Sequence, residues 1–104
     1  MVRVVDGKRY STDNAEEIGC WDNGLSDRDF GSLSETLYRT KKGAFFLVGD
    51  GGPMTWCSRS CGSNSVCGGE KLLPYTEQEA YAWCEKHNKL EAIYKYFSKM
   101  VVDA

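Results

Sequence analysis

The sequence predicts an α+β domain, in which a small antiparallel sheet built from N-terminal and central hairpins is packed by one or two C-terminal helices, with a cysteine-rich loop besides. Three observations carry that reading. Asp6-Gly7 separates Val2-Arg3-Val4-Val5 from Lys8-Arg9-Tyr10, and this dipeptide supplies the positive φ angles of a tight two-residue turn. Residues 32–40 alternate in polarity and are followed, across Lys41-Lys42-Gly43, by the compact run Phe45-Phe46-Leu47-Val48. Thr76-Glu77-Gln78-Glu79 then has the form of a capping box and opens a segment of helical periodicity.

The elements follow in order. In residues 11–18, Thr12 to Glu17 have a capping residue followed by acids, which suits one helical turn. Residues 17–21 read as a strand ending at the turn signal Asp22-Asn23-Gly24. Residues 26–31 are polar and acidic and read as an exposed loop anchored by Phe30. In the central hairpin, Leu33, Glu35, Leu37 and Arg39 share one set of positions, while Ser34, Thr36, Tyr38 and Thr40 share the other. Glu70-Lys71-Leu72-Leu73 reads as a further strand stopped by Pro74. In the helical segment Ala80, Trp83, Cys84 and His87 form one stripe, Asn88-Lys89 interrupt it, and Leu90, Ile93, Tyr94 and Phe97 form a second.

Residues 49–69 hold three of the five cysteines and little that could build a hydrophobic face. Burial cannot fix such a segment, so another constraint is expected. Cys57 and Cys61 are four apart and Cys67 returns after a glycine-containing loop, so the three sulfurs can converge on zinc. A closed zinc site takes four ligands, and Cys20 is the expected fourth, with Cys84 or His87 as alternatives. The competing readings are small buried hydrophobes and a disulfide. The segment at Met1-Val2-Arg3-Val4-Val5-Asp6 lacks the apolar run of a signal peptide, which leads to the expectation of a cytoplasmic protein with reduced thiols.

The chain has 104 residues, 13 basic and 15 acidic, and a formal charge of −2. That length suits a single domain spanning residues 1–104. So even a balance disfavours direct DNA binding, which uses a basic excess, and equally disfavours mimicry of DNA. No apolar run approaches a membrane span. The only histidine, His87, has no orienting partner in a recognisable motif, and residues 68–71 lack the lysine-hydroxyl order of a phosphate loop. The expectation is a binding protein, monomeric or a small homo-oligomer, and not an enzyme; a minor alternative makes Cys61 a nucleophile.

Gly7-Lys8-Arg9-Tyr10, Trp21-Asp22-Asn23-Gly24, Glu35-Thr36-Leu37-Tyr38-Arg39-Thr40-Lys41-Lys42-Gly43, Gly49-Asp50-Gly51-Gly52-Pro53, Ser60-Cys61-Gly62 and Gly68-Gly69-Glu70-Lys71 follow one another along the chain, ahead of the Glu-rich helix start at Thr76. As a set they resemble small proteins encoded by phages and mobile elements of Gram-positive bacteria, some proteins of that kind acting as anti-CRISPR inhibitors. In that group the positions of Cys57 and Cys67 tend to carry tyrosine and a small polar residue, so the extra cysteines point to a metal site particular to this chain. The resemblance implies a stoichiometric inhibitor that binds a type II RNA-guided nuclease with its guide RNA and blocks guide loading, DNA loading or cleavage. The exposed acids Asp22, Asp27, Asp29 and Asp50 are the expected contacts to the basic nucleic-acid channel of that partner. The alternative is a zinc-containing regulatory or nucleic-acid-associated module of a mobile element, with Arg39, Lys41, Lys42 and Lys71 as a basic stripe.

Overall fold

A computed structural model describes residues 1–104 and has the expected α+β architecture. Strands β1 (Val2–Val5) and β2 (Lys8–Ser11) form the N-terminal hairpin. Its turn residues Asp6 and Gly7 have φ of 52° and 76°, the mirror-image turn that matches strand twist. After a 3-10 turn at Thr12–Asn14 come β3 (Ala15–Asp22), β4 (Leu33–Thr40) and β5 (Phe45–Gly51). The short pair β6 (Arg59–Ser60) and β7 (Val66–Cys67) precedes β8 (Gly69–Tyr75). Helices α1 (Glu77–Lys86) and α2 (Leu90–Tyr96) close the chain.

The main sheet is antiparallel in the order β3-β4-β5-β8. Directly paired residues share a face, so the register sorts every side chain. Leu37, Phe45 and Leu47 point to the helices and join Ala80, Trp83, Cys84, Ala92, Ile93 and Phe97 in the larger core. Phe46 and Leu72 point the other way and meet Tyr10 of the N-terminal hairpin. The fold is therefore three layers: hairpin, sheet, helices.

The threonine capping box at α1 is present, with Thr76 Oγ1 accepting from the Glu79 amide at 3.1 Å and Glu79 Oε1 accepting from the Thr76 amide at 2.9 Å. At the other end Asn88 takes φ of 54°, Lys89 N–H donates to the Cys84 carbonyl at 2.8 Å and Asn88 N–H donates to the Glu85 carbonyl at 3.2 Å. That pair of bonds is a Schellman stop, and it explains why the apolar stripe breaks at Asn88-Lys89.

Several boundaries differ from the sequence reading. Strand β8 runs through Pro74 to Tyr75, because it is a sheet edge where a missing amide donor is tolerated. Strand β5 continues through Gly49, Asp50 and Gly51, taking them out of the loop. Phe30 does not anchor its loop, being 66% exposed, and Leu90 and Tyr94 stay exposed while Ala92 takes the buried place.

Candidate functional site

The largest concavity lies where β3 and β5 end and β4 and β8 begin. The strand register puts Asp22 opposite Ser34, Ser34 opposite Asp50, and Asp50 opposite Glu70, a single row across all four strands on one face. The loop between β3 and β4 adds Asp27 and Asp29 to the same groove. All four acids expected to contact a partner, Asp22, Asp27, Asp29 and Asp50, therefore line one surface, and Glu70 joins them. Arg28 and Arg59 are the cations of the lining. None of the five carboxylates belongs to an ion pair.

Local hydrogen bonds hold this wall. Asp22 Oδ1 accepts from the Gly24 amide at 2.8 Å and Asp29 Oδ1 from the Gly31 amide at 2.8 Å. Asn23 ties both sides of the loop, donating to the Gly31 carbonyl at 2.8 Å and accepting from the Leu33 amide at 3.2 Å. Gly52 lets the loop lie against the end of β5, since a Cβ there would stand 2.4 Å from the Phe30 carbonyl oxygen. The loop presents Phe30 and Leu25, 66% and 48% exposed, at the groove.

Below the cysteine-rich loop, all three tryptophans and the only histidine gather around Glu35. Its carboxylate accepts from Trp56 Nε1 at 2.7 Å and from Trp83 Nε1 at 2.9 Å. His87 lies between the rings of Trp21 and Trp83, with centroids 4.6 and 4.7 Å away, and its Nε2 is 3.8 Å from Glu35 Oε1. That nitrogen is buried and has no hydrogen-bond partner. Burial holds the His87 pKa below its ordinary value, against the pull of the Glu35 charge. The carboxylate thus joins β4, the loop at Trp56 and α1 into one unit. A sequence signal for it existed: Glu35 sits between Leu33 and Leu37 on their inward set, where an acid requires partners.

The expected zinc ligands are not gathered. Cys61 and Cys67 are bonded to each other across the β6–β7 pair. Cys57, in the loop after β5, is fully buried against that strand, where a Cβ at Gly49 would lie 2.6 Å from its sulfur and 2.2 Å from the Trp56 ring. Cys20 pairs with Thr36, which pairs with Val48, so it faces the hairpin side, whereas Gly49 and the Cys57 sulfur lie on the helix side. The sheet itself separates these two sulfurs. Cys84 is buried in the helix-side core, and no group of three or more His, Cys, Asp or Glu side chains is arranged to hold a metal ion. Burial pushes the Cys57 and Cys84 thiols up to about 11. The Cys61–Cys67 bond and the Trp56–Glu35 hydrogen bond both constrain the loop. With Cys61 in that bond, it is not free to act as a nucleophile.

The basic stripe is likewise divided. Lys41 and Lys42 lie at the far end of β4, whereas Lys71 pairs with Gly49 near the groove end. Arg39 lies over the Tyr96 ring, 5.5 Å from its centroid. No helix is long and apolar enough to cross a membrane. No family model, curated protein or solved structure matches the chain.

Proposed function

We propose that this protein is a stoichiometric inhibitor that works by occupying another macromolecule, its acidic groove seated on a basic nucleic-acid-binding surface of a type II RNA-guided nuclease. The observation that supports this most is the row Asp22, Ser34, Asp50 and Glu70, continued by Asp27 and Asp29 on the adjoining loop. Like charges directly opposite one another weaken a sheet, and Asp50 faces Glu70 without a counter-ion. A cationic partner would relieve that repulsion on binding. Exposed Phe30 and Leu25 beside the acids supply the apolar anchor that such a contact needs. The choice of nuclease comes from the resemblance described above, and the groove supplies the electrostatic means. The reading draws on no metal.

Gel filtration of the protein with nuclease and guide RNA, run beside a DNA-cleavage assay, tests the proposal. A one-to-one complex and loss of cleavage are expected, both weakened when Asp27, Asp29 and Asp50 become Asn. Full cleavage at inhibitor excess refutes it.

A further inference from the structure

The formal charge of −2 hides a strong separation of charge along β4. The groove acids stand at its Leu33 end. At the Thr40 end, Lys41 and Lys42 of the β4–β5 turn meet Lys8 and Arg9 of the β1–β2 hairpin around a second concavity. With eight residues in β4, the two ends are roughly 23–26 Å apart, about three times the screening length at physiological salt. Each end therefore acts on its surroundings as a separate surface.

We infer that the Lys8, Arg9, Lys41, Lys42 end is a contact surface for the phosphate backbone of a nucleic acid. All four side chains belong to exposed residues, and none is in an ion pair. Asp6 and Asp13 are the acids closest in sequence to the hairpin cations, and neither is paired to them. Two tight turns carry the cations. Gly43 at φ of 90° closes one, with its amide donating to the Thr40 carbonyl at 2.9 Å, and Asp6-Gly7 closes the other. Fixed turns hold the charges at low entropic cost, and Ser11, Asn14 and Thr40 put neutral hydrogen-bonding groups among them. Cations interleaved with small polar groups in a concave surface suit phosphate oxygens. The acidic end repels the same polymer, so contact is confined to the tip and covers a few phosphates. This inference rests on the inhibitor reading and deepens it: a protein with opposite ends of opposite charge fits a ribonucleoprotein, which offers basic protein and exposed phosphate side by side.

Fluorescence anisotropy of the full chain with a labelled 20-base-pair duplex, and separately a labelled single-stranded RNA, reads this end alone. Four phosphate contacts give a salt slope of about −3.6 on duplex DNA, so affinity should fall about 100-fold between 50 and 200 mM salt. The K8E/R9E/K41E/K42E variant should lose binding, whereas D27N/D29N/D50N should keep it. An unchanged affinity in the first variant overturns the inference, as does the absence of any anisotropy change at low salt. Binding only to vesicles of anionic lipid overturns it in favour of a membrane surface, and salt-sensitive self-association without oligonucleotide binding overturns it in favour of a second copy of the chain. If oligonucleotides fail while the nuclease complex still forms, this inference falls and the inhibitor reading stands; the converse result separates them the other way.

Discussion

Replacing Glu35 by Gln changes one atom and tests the polar centre of the molecule. The carboxylate offers one oxygen to Trp56 and the other to Trp83, at 2.7 and 2.9 Å. An amide keeps one oxygen and turns the other position into a donor, so one indole N–H keeps a neutral acceptor while the other faces an N–H. A hydrogen bond to a charged group contributes about 1.5–3 kcal/mol, and a buried donor left without a partner costs about 1–3 kcal/mol. The Glu35 side chain is 12% exposed, so water does little to rescue the orphaned indole. Glu35→Gln should therefore destabilise by about 2 kcal/mol, and Glu35→Ala, which orphans both indoles and opens a cavity, by about 4 kcal/mol. For a domain of this size the first figure is roughly a 10 °C drop in melting temperature. Urea unfolding followed by tryptophan fluorescence measures it, and the indole N–H resonances of Trp56 and Trp83 should both move while that of Trp21 moves less. A Gln variant within about 0.5 kcal/mol of the parent, the range of an ordinary surface change, would refute the assignment of Glu35 as the joint between loop, sheet and helix.

Three further outcomes are expected. Because burial lowers the His87 pKa from 6.5 in the fold, the unfolded chain takes up the proton first. Stability from this group is thus complete above pH 6.5 and declines as pH falls below it, and His87→Phe, which keeps the stack between Trp21 and Trp83, should flatten that part of a urea-midpoint profile. Opening the Cys61–Cys67 bond, which spans a sequence separation of 6, should cost about 2 kcal/mol by loop-closure entropy. Trypsin should then cut faster after Arg59, the only basic residue between Lys42 and Lys71, while a chelator leaves the melting curve unchanged; a chelator-sensitive melt would restore the metal reading. Glu70→Lys places a cation opposite Asp50, so it should raise the urea midpoint slightly and weaken nuclease binding at the same time. A lowered midpoint would count against the row as a source of repulsion.

Much of the layout was legible in the sequence because local chemistry dictated it. Asp6-Gly7, Lys41-Lys42-Gly43 and the Thr76 capping box each encode their turn or cap within a few residues, and all appear as expected. Where neighbours in space decide, the sequence was silent or misleading. Pro74 stops a central strand but not an edge one, and only the sheet order reveals that β8 is an edge. Helical spacing makes Cys57 and Cys61 look like one cluster, yet the chain turns between them: Cys57 drops into the space over Gly49, and Cys61 follows the exposed strand β6. Parity alone keeps Cys20 from Cys57, and parity depends on a register that includes a bulge between Glu17 and Gly19. The loop did need an added constraint, as its lack of apolar periodicity indicated; the bond that supplies it joins two of the three cysteines proposed as ligands.

The acids show why the same reading found the groove residues without finding the groove. In the sequence, Asp22, Asp27, Asp29 and Asp50 are exposed charges expected to meet a basic partner, with nothing to say that they share a surface. Their register turns them into something else, because three acids in one cross-strand row cannot all be far from one another. A sheet selected for stability alone would place a lysine opposite Asp50; Lys71 is the very next residue after Glu70, yet it points to the other face and pairs with Gly49. A shift of one residue in that strand would exchange repulsion for attraction and would also turn Leu72 out of the Tyr10–Phe46 core. The hydrophobic pattern therefore fixes the register, and the acidic row persists as a local cost that a cationic partner would offset.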